Sequence, residues 1–141
     1  MAEKALWKWL KLYCPKGKYT RVENGEAGPG TPDVYYRLRA NSGWIEMKDA
    51  RHPNSLIPFR NEDVGLHKSQ RDWIQEEVTL GGLVWIVARV GKQILFVHGK
   101  YCQAFNGARM TRLLRFSALT IDQNNPGPSV RRLKQLLEGD I

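Results

Sequence analysis

The chain has 141 residues, of which 42% are hydrophobic, and its 22 Lys and Arg residues outnumber its 14 Asp and Glu residues, giving a net charge of +8. This length predicts a single domain with its own core, and the basic excess favours a polyanionic partner, with nucleic acid first and an anionic membrane surface second. Two distant cysteines, Cys14 and Cys102, argue against a disulfide framework or a zinc site, and without a signal peptide or a long apolar segment we expect a soluble protein of the cytoplasm.

The first part of the chain alternates between helical and extended patterns. Leu6 and Leu10 share one side of a helical period that Pro15 ends, and Gly81 with Gly82 stops a second helix. Segments rich in β-branched and aromatic residues are typical of strands, and two of them flank a short turn. The predicted elements are a helix over 1–14, strands over 18–22, 33–39 and 43–49, a helix over 66–80, and strands over 82–90 and 93–99.

The last third of the chain has a weaker pattern. Residues 106–119 are compatible with a helix or a strand, and residues 129–140 are typical of a final helix. We therefore predict an α/β protein of the α+β kind, with a mixed sheet of about five strands flanked by helices in the order α-β-β-β-α-β-β. Residues 1–98 would form the core of one domain over residues 1–141, and residues 99–141 a basic, helical C-terminal extension.

The predicted hairpin brings charged side chains to one face. Side chains two residues apart share a face of a strand, so Glu46 and Lys48 point the same way and the apolar side chains between them point the other way. If the turn keeps an even number of unpaired residues, Asp33 lies on that charged face. A register with Asp33 opposite Lys48 would bring Asp33 diagonally close to Glu46.

Two carboxylates at one point would raise each other's pKa, and a hard divalent cation with oxygen ligands is a natural reason to tolerate them. Mg²⁺ fits because it takes few protein oxygens and leaves positions for waters and a phosphate, and Mn²⁺ is a suitable substitute. Lys48 could orient or deprotonate a water, or stabilise charge on the phosphate. The grouping suits phosphodiester hydrolysis, although each of its parts also occurs in proteins as an ordinary turn or surface strand.

The sequence TPD at residues 31–33, followed after a turn by EMK at residues 46–48, resembles the signature of the PD-(D/E)xK nuclease superfamily. The segment LHKSQRDW, with Gln70 near the start of a helix, is similar to the VRR-NUC group and its Holliday-junction-resolvase relatives, whose small members are often encoded by phages. The resemblance covers about residues 1–98. It implies a restriction-endonuclease-like sheet, a metal bound by Asp33, Glu46 and the backbone carbonyl of Met47, and a catalytic role for Lys48.

The resemblance also implies a Glu from the first helix as a further metal ligand or water-orienting group. Glu3 is the candidate, because positions 3, 6, 10 and 13 form one helical stripe, and Glu23 is the rival. Glu3 is equally well explained as a first-turn acid that interacts with the helix dipole. The family pattern directs the Gln70 amide at the active site or at substrate phosphate, and the alternative is an ordinary exposed helix amide.

Five basic residues outside the motif are candidates for DNA contact. Arg109, Arg112 and Arg115 recur every three residues, which on a helix gives either a basic stripe able to follow a phosphate backbone or simply a solvated face. Arg131 could extend the same surface or balance the final helix, and Lys68 is the remaining candidate.

These residues together predict a Mg²⁺-dependent DNA endonuclease, and the resemblance implies that branched DNA such as a Holliday junction is its preferred substrate. A homodimer is expected, because a symmetric four-way junction needs two cuts. The alternative is a DNA-binding accessory that keeps the nuclease scaffold without turnover. A base-specific restriction-type nuclease is less favoured, because the sequence offers no separate recognition domain.

Overall fold

The computed structural model describes residues 2–22 and 28–139, and these contain five α-helices and six strands. The helices are α1 (Ala2–Lys11), α2 (Lys68–Thr79), α3 (Cys102–Phe105), α4 (Met110–Phe116) and α5 (Val130–Leu137). The strands are β1 (Lys18–Arg21), β2 (Val34–Arg37), β3 (Ser42–Asp49), β4 (Val84–Val90), β5 (Gln93–His98) and β6 (Ser117–Asp122). None of the described helices is long and apolar enough to cross a membrane.

All six strands form one mixed sheet in the order β1-β2-β3-β4-β5-β6. Among the described strands, β3 and β4 are the one parallel pair of neighbours, and α2 lies in the crossover that such a pair requires. The other neighbours are antiparallel, and β4 and β5 are joined by a tight turn at Gly91, which has a φ of +62°. The predicted mixed α/β sheet flanked by helices is confirmed at this level.

The predictions of about five strands and of a purely helical extension are wrong. Residues 117–122 form β6, which pairs antiparallel with β5 from Gln93–Asp122 to Val97–Ser117. The ambiguous segment 106–119 contains both kinds of structure, because α4 ends at Phe116 and β6 begins at the next residue. Most side chains of β6 are half-buried or exposed, so this edge strand lacks the alternation by which a strand is recognised in a sequence.

Alternating side chains give the sheet two apolar faces. On β4, Trp85 and Val87 belong to one hydrophobic cluster, while Ile86 and Ala88 belong to another. The first face carries α1 and α5, and the second face carries α2, α3 and α4. Because β4 is covered on both sides, its sequence is an unbroken apolar run from Val84 to Ala88. The C-terminal segment contributes to both clusters, with Leu133, Leu136 and Leu137 on the first face and Leu113 on the second.

β2 and β3 form the predicted hairpin, but in a different register. Val34 pairs with Ile45, and the Leu38 N–H donates to the Asn41 carbonyl at 2.8 Å, which leaves a two-residue turn. Continued by one step, this register puts Asp33 opposite Glu46, so the predicted pairing of Asp33 with Lys48 is wrong. The predicted parity is correct, because Glu46 and Lys48 lie beside Ile86 and Ala88 of the second face.

Candidate active site

Asp33 is held against β3 at the point where β2 begins. Its Oδ2 accepts a hydrogen bond from the Met47 N–H at 2.8 Å. The loop before it is fixed by Gly30, whose φ of +84° suits glycine and whose added Cβ would overlap the Ser69 carbonyl oxygen. This close approach ties the loop to the start of α2, the helix that carries Gln70.

Glu46 is the buried centre of the group. The residue is 1% exposed and lies in the middle of β3, opposite Asp33. Its Oε2 accepts a hydrogen bond from the Gln70 Nε2 at 3.1 Å and lies 3.7 Å from the Lys48 Nζ. Its Oε1 is buried and has no hydrogen-bond partner within the described part of the chain. An unpartnered buried carboxylate oxygen is costly, and it calls for an explanation in terms of a ligand.

Burial raises the pKa of both carboxyl groups. For Glu46, burial is the largest cause and the charge of Asp33 the next, so the pKa lies well above its usual 4.5. For Asp33, burial raises the pKa, while the hydrogen bond from the Met47 N–H and the positive charge of Lys48 oppose the shift. Both shifts favour the protonated form of these carboxyl groups more than in an exposed carboxyl group, and a bound divalent cation would favour the ionised form.

Gln70 reaches this group from the first turn of α2. Its Oε1 accepts a hydrogen bond from the His67 N–H at 2.8 Å, which fixes the orientation of the amide and leaves the Nε2 to donate to Glu46. The predicted direction of Gln70 towards the carboxylates therefore agrees with the structure. The amide NH₂ of Gln70 can donate a hydrogen bond, and an ionised carboxylate can only accept one, so the two groups are complementary.

Glu3 lies in the first turn of α1, on the other face of the sheet. It is half-buried, and after burial and Asp33 its charge also raises the pKa of Glu46. Within residues 2–22 and 28–139, however, no three Asp, Glu, His or Cys side chains gather closely enough to hold a metal by themselves. Glu23, the rival acid, lies outside the described residues.

The oxygen donors at the site fit a hard cation. Carboxylates, a backbone carbonyl and water are the ligands of Mg²⁺ and Mn²⁺, and among the described residues no His or Cys side chain completes a metal-binding group with the two carboxylates. In an antiparallel pair, the N–H and C=O of one residue point to the same neighbour. The Met47 N–H points at Asp33, beyond the start of β2, so the Met47 carbonyl is directed to the same side. Asp33, the free Oε1 of Glu46 and this carbonyl are thus three oxygens that could share one ion.

The predicted DNA-binding residues do not form one surface. Lys68 begins α2, two residues before Gln70, and its Nζ forms an exposed ion pair with Asp72 at 2.7 Å. Of the five candidates, Lys68 is the one that lies near the carboxylates, because it is close to Gln70 on the same helix. The role in DNA binding stays a prediction for all five residues.

The arginine candidates lie on opposite faces of the sheet. Arg109, Arg112 and Arg115 precede or belong to α4, which packs on β5 and β6 at the edge far from β2. The Arg112 guanidinium lies 5.0 Å from the centre of the Phe116 ring. Arg131 belongs to α5, which lies on the first face, whereas α4 lies on the second face. The predicted alternative in which Arg131 extends the row of α4 arginines is therefore wrong.

Two charged features near the site are absent from the sequence-based prediction. Arg21 ends β1, and its charge opposes the rise in the pKa of Asp33 that burial causes. Asp49 and Arg89 form a bidentate ion pair, with distances of 3.1 Å from Nε to Oδ1 and 2.5 Å from Nη2 to Oδ2. No local pattern could reveal this pair, because the parallel register of β3 and β4 joins residues that are distant in the sequence.

No protein-family model matches the sequence, and a search of curated proteins finds no match. The resemblance to PD-(D/E)xK nucleases therefore rests on residues 31–33 and 46–48 and on Gln70. The function of the site has to be inferred from its own geometry.

Proposed function

We propose that the protein is a divalent-metal-dependent nuclease of the PD-(D/E)xK type, with a restriction-endonuclease-like core, that hydrolyses phosphodiester bonds in DNA. The observation that carries this proposal is Glu46, a fully buried carboxylate beside Asp33 and Lys48 with one oxygen unpartnered. Such a group destabilises a fold unless something offsets its charge. A cation that shares Asp33 and Glu46 would do so.

The chain offers each group that the hydrolysis needs. Asp33, Glu46 and the Met47 carbonyl would hold Mg²⁺ or Mn²⁺, which when bound polarises a phosphate oxygen and lowers the pKa of a coordinated water. Lys48 would stabilise the negative charge that grows on the phosphate as the bond from the water oxygen to phosphorus forms and the bond to the leaving oxygen breaks.

Gln70 supports Glu46 rather than the reacting phosphate. By donating to Oε2, it fixes the rotation of the carboxylate and leaves Oε1 available for the cation. We regard it as a positioning residue. Glu3 supplies negative charge from the far side of β3, which would strengthen the attraction of the site for a cation.

Branched DNA is the substrate that the family resemblance implies, and the net charge of +8 suits a nucleic acid. Paired cuts across a four-way junction require two sites related by a two-fold axis, so a homodimer forms part of the proposal. The mass in solution, measured by light scattering with and without junction DNA, tests the homodimer separately from the chemistry.

A catalytically silent DNA-binding accessory is the second candidate. It is favoured by one observation, which is that the described acidic residues do not form a complete metal-binding group without a backbone carbonyl and water. In that case Lys48 would serve as the counter-charge of Glu46, with no role in turnover.

A cleavage panel tests the proposal. Labelled four-way junction, flap, nicked and linear duplex DNA would each be incubated with Mg²⁺, Mn²⁺ or EDTA. We expect cleavage with either metal, none in EDTA, and the highest rate on the junction. Lys48→Ala should lose cleavage and keep DNA binding.

Metal binding has its own readout. Mg²⁺ should raise the melting temperature of the wild-type protein and leave that of Asp33→Asn nearly unchanged. A wild-type protein that binds Mg²⁺ at Asp33 but cuts none of these DNAs would favour the accessory over the nuclease.

A further inference from the structure

An open groove of about 480 Å³ lies between the outer side of α1 and the end of β1. Its lining residues are Lys4, Trp7, Lys8, Lys11 and Arg21, so no acidic side chain of the described chain lines it. The four cationic side chains are exposed, whereas Trp7 is 7% exposed. The groove thus presents four exposed cationic side chains around a buried aromatic ring.

The spacing of these charges matches a polyanion with a regular repeat. Lys4, Lys8 and Lys11 follow the helical period and lie along one side of α1. The distance from Lys4 to Lys11 along the helix axis is about 10 Å at 1.5 Å per residue. One strand of a duplex carries one phosphate per 3.4 Å of duplex axis, so this length of axis holds about three phosphates.

The floor of the groove offers nothing to a base. The Trp7 ring is held by the Tyr19 ring, whose centre lies 5.8 Å away, and by the Lys11 Nζ at 5.9 Å. Being buried, the indole cannot act as the exposed stacking surface that binds unpaired bases. The groove is therefore suited to a sugar–phosphate backbone rather than to base readout.

One end of the groove meets the candidate active site. Arg21 is followed by Val22, whose N–H donates to the Asp33 carbonyl at 2.9 Å. On the opposite wall, Lys4 is preceded by Glu3, whose charge contributes to the raised pKa of Glu46. The groove lies on the α1 face of the sheet and the carboxylates lie on the other face, so a strand along the three lysines would reach the carboxylates by passing the start of β2, where Asp33 lies.

From this arrangement we infer that the groove between α1 and β1 binds the backbone of the substrate strand that enters the active site, an inference that rests on the proposed nuclease function. An anionic membrane is a poorer occupant, because a helix that binds lipid needs a free apolar side. The apolar side of α1, formed by Leu6 and Leu10, is fully buried in the core.

The α4 arginines provide a matched control. Arg109, Arg112 and Arg115 carry the same number of charges at a similar spacing, but β4 and β5 separate them from β3. With about 4.8 Å between neighbouring strands, β6 lies about 14 Å from β3, and α4, which packs on β5 and β6, lies at least about 10 Å from β3 across the sheet. If long-range electrostatic attraction alone held the DNA, both rows of basic residues should contribute equally to binding. If the cut strand contacts the protein directly, only the lysines of the groove should contribute.

The test compares two triple variants, Lys4→Ala/Lys8→Ala/Lys11→Ala and Arg109→Ala/Arg112→Ala/Arg115→Ala. Binding of labelled duplex and junction DNA would be followed by fluorescence anisotropy in EDTA, so that cleavage is not needed, at about 50 to 200 mM salt. Far-ultraviolet circular dichroism checks folding, and the single variant Lys8→Glu is the second probe of the groove.

The groove variant should bind DNA more than about tenfold more weakly, and the slope of log K against log[salt] should fall by about 2.7, because each of the three lost phosphate contacts removes about 0.9. The α4 variant should lose less than half as much. Equal losses in the two variants, or wild-type binding by the groove variant and by Lys8→Glu, would overturn the inference, as would binding of the lysines to anionic vesicles but not to DNA.

These outcomes are separable from the proposed function. A wild-type protein that binds DNA through the groove and never cuts would refute the nuclease and leave the groove in place. Conversely, a groove variant with unchanged binding and unchanged KM for cleavage would refute the groove and leave the nuclease in place.

Discussion

Two carboxylates three residues apart on β3, Glu46 and Asp49, have opposite environments. Asp49 faces the first side of the sheet and forms two hydrogen bonds with Arg89, at 3.1 and 2.5 Å. Glu46 faces the second side, receives a single amide hydrogen bond and a lysine at 3.7 Å, and keeps one oxygen unpartnered. The surroundings of Asp49 are typical of a residue that stabilises the fold. The surroundings of Glu46 are typical of a residue that binds a ligand.

The contrast teaches how one strand can serve two purposes. A bidentate arginine matches the charge and geometry of a carboxylate and leaves little for a further ligand. A flexible lysine offsets the charge only in part, and so an oxygen stays available. In the unliganded protein the second arrangement costs stability, and this cost is typical of functional sites.

The largest effect is expected from Glu46→Gln assayed for DNA cleavage with Mg²⁺. This change keeps the volume of the side chain and removes the charge that would bind the cation, so cleavage should fall by at least about 10²- to 10³-fold. The matched control is Asp49→Asn on the other face, which should keep most of its cleavage per folded molecule. Similar activity in the two variants would remove the functional distinction between the carboxylates.

Next in size is the effect of Asp49→Asn on stability. It removes the charge with which the half-buried Arg89 guanidinium forms its bidentate pair, and the free energy of unfolding in urea should fall by about 2 kcal/mol. A double-mutant cycle with Arg89→Gln should recover part of this loss if the pair itself is the cause. An Asp49→Asn protein as stable as the wild type would mean that the ion pair is not structural.

A smaller loss is expected from Gln70→Ala. Removing the donor to Oε2 should lower cleavage by about 10-fold, because the Glu46 carboxylate loses its orienting partner. The control is Gln75→Ala on the same helix, since the exposed Gln75 amide donates to Thr79 at 3.3 Å, away from the carboxylates. Equal rates for the two glutamine variants would argue against a positioning role.

The smallest effect is on the free energy of unfolding. Glu46→Gln should stabilise the protein, whereas Asp49→Asn should destabilise it. Because burial raises the pKa of Glu46 in the folded state, the folded protein binds this proton more tightly than the unfolded chain does. The free energy of unfolding without metal should therefore fall as pH rises from the usual value of 4.5 through the raised pKa, and Asp33 contributes in the same direction.

Thermal unfolding in EDTA between about pH 5 and pH 8 measures this slope. Glu46→Gln should flatten it and melt at a higher temperature than the wild type at the upper pH, by an amount that corresponds to about 1 kcal/mol. If the Glu46→Gln protein melts at a lower temperature than the wild type at every pH, the Glu46 carboxylate is not an unsatisfied group that destabilises the fold.

Local periodicity was sufficient to predict α1, α2 and α5, five of the six strands and the face on which Glu46 and Lys48 lie, whereas α3 was not predicted and α4 lies in the segment left open between helix and strand. Alternation fixes the side of a strand whatever its partner is, and Gly81, with a φ of +92°, ends α2 by its own backbone preference, whereas α1 already ends at Lys11, before Pro15. The motif at residues 31–33 and 46–48 also selected the side chains that the structure brings together. Their catalytic roles stay predictions.

Pairing across the sheet was decided only by the tertiary structure. The two-residue turn after Leu38 sets Asp33 against Glu46 rather than Lys48, and no local signal distinguishes these registers, because both keep the same parity. The edge strand β6, the Asp49–Arg89 pair and the groove beside Arg21 depend in the same way on partners far along the chain. The sequence determined which groups are present and which way they face, and packing determined which of them meet.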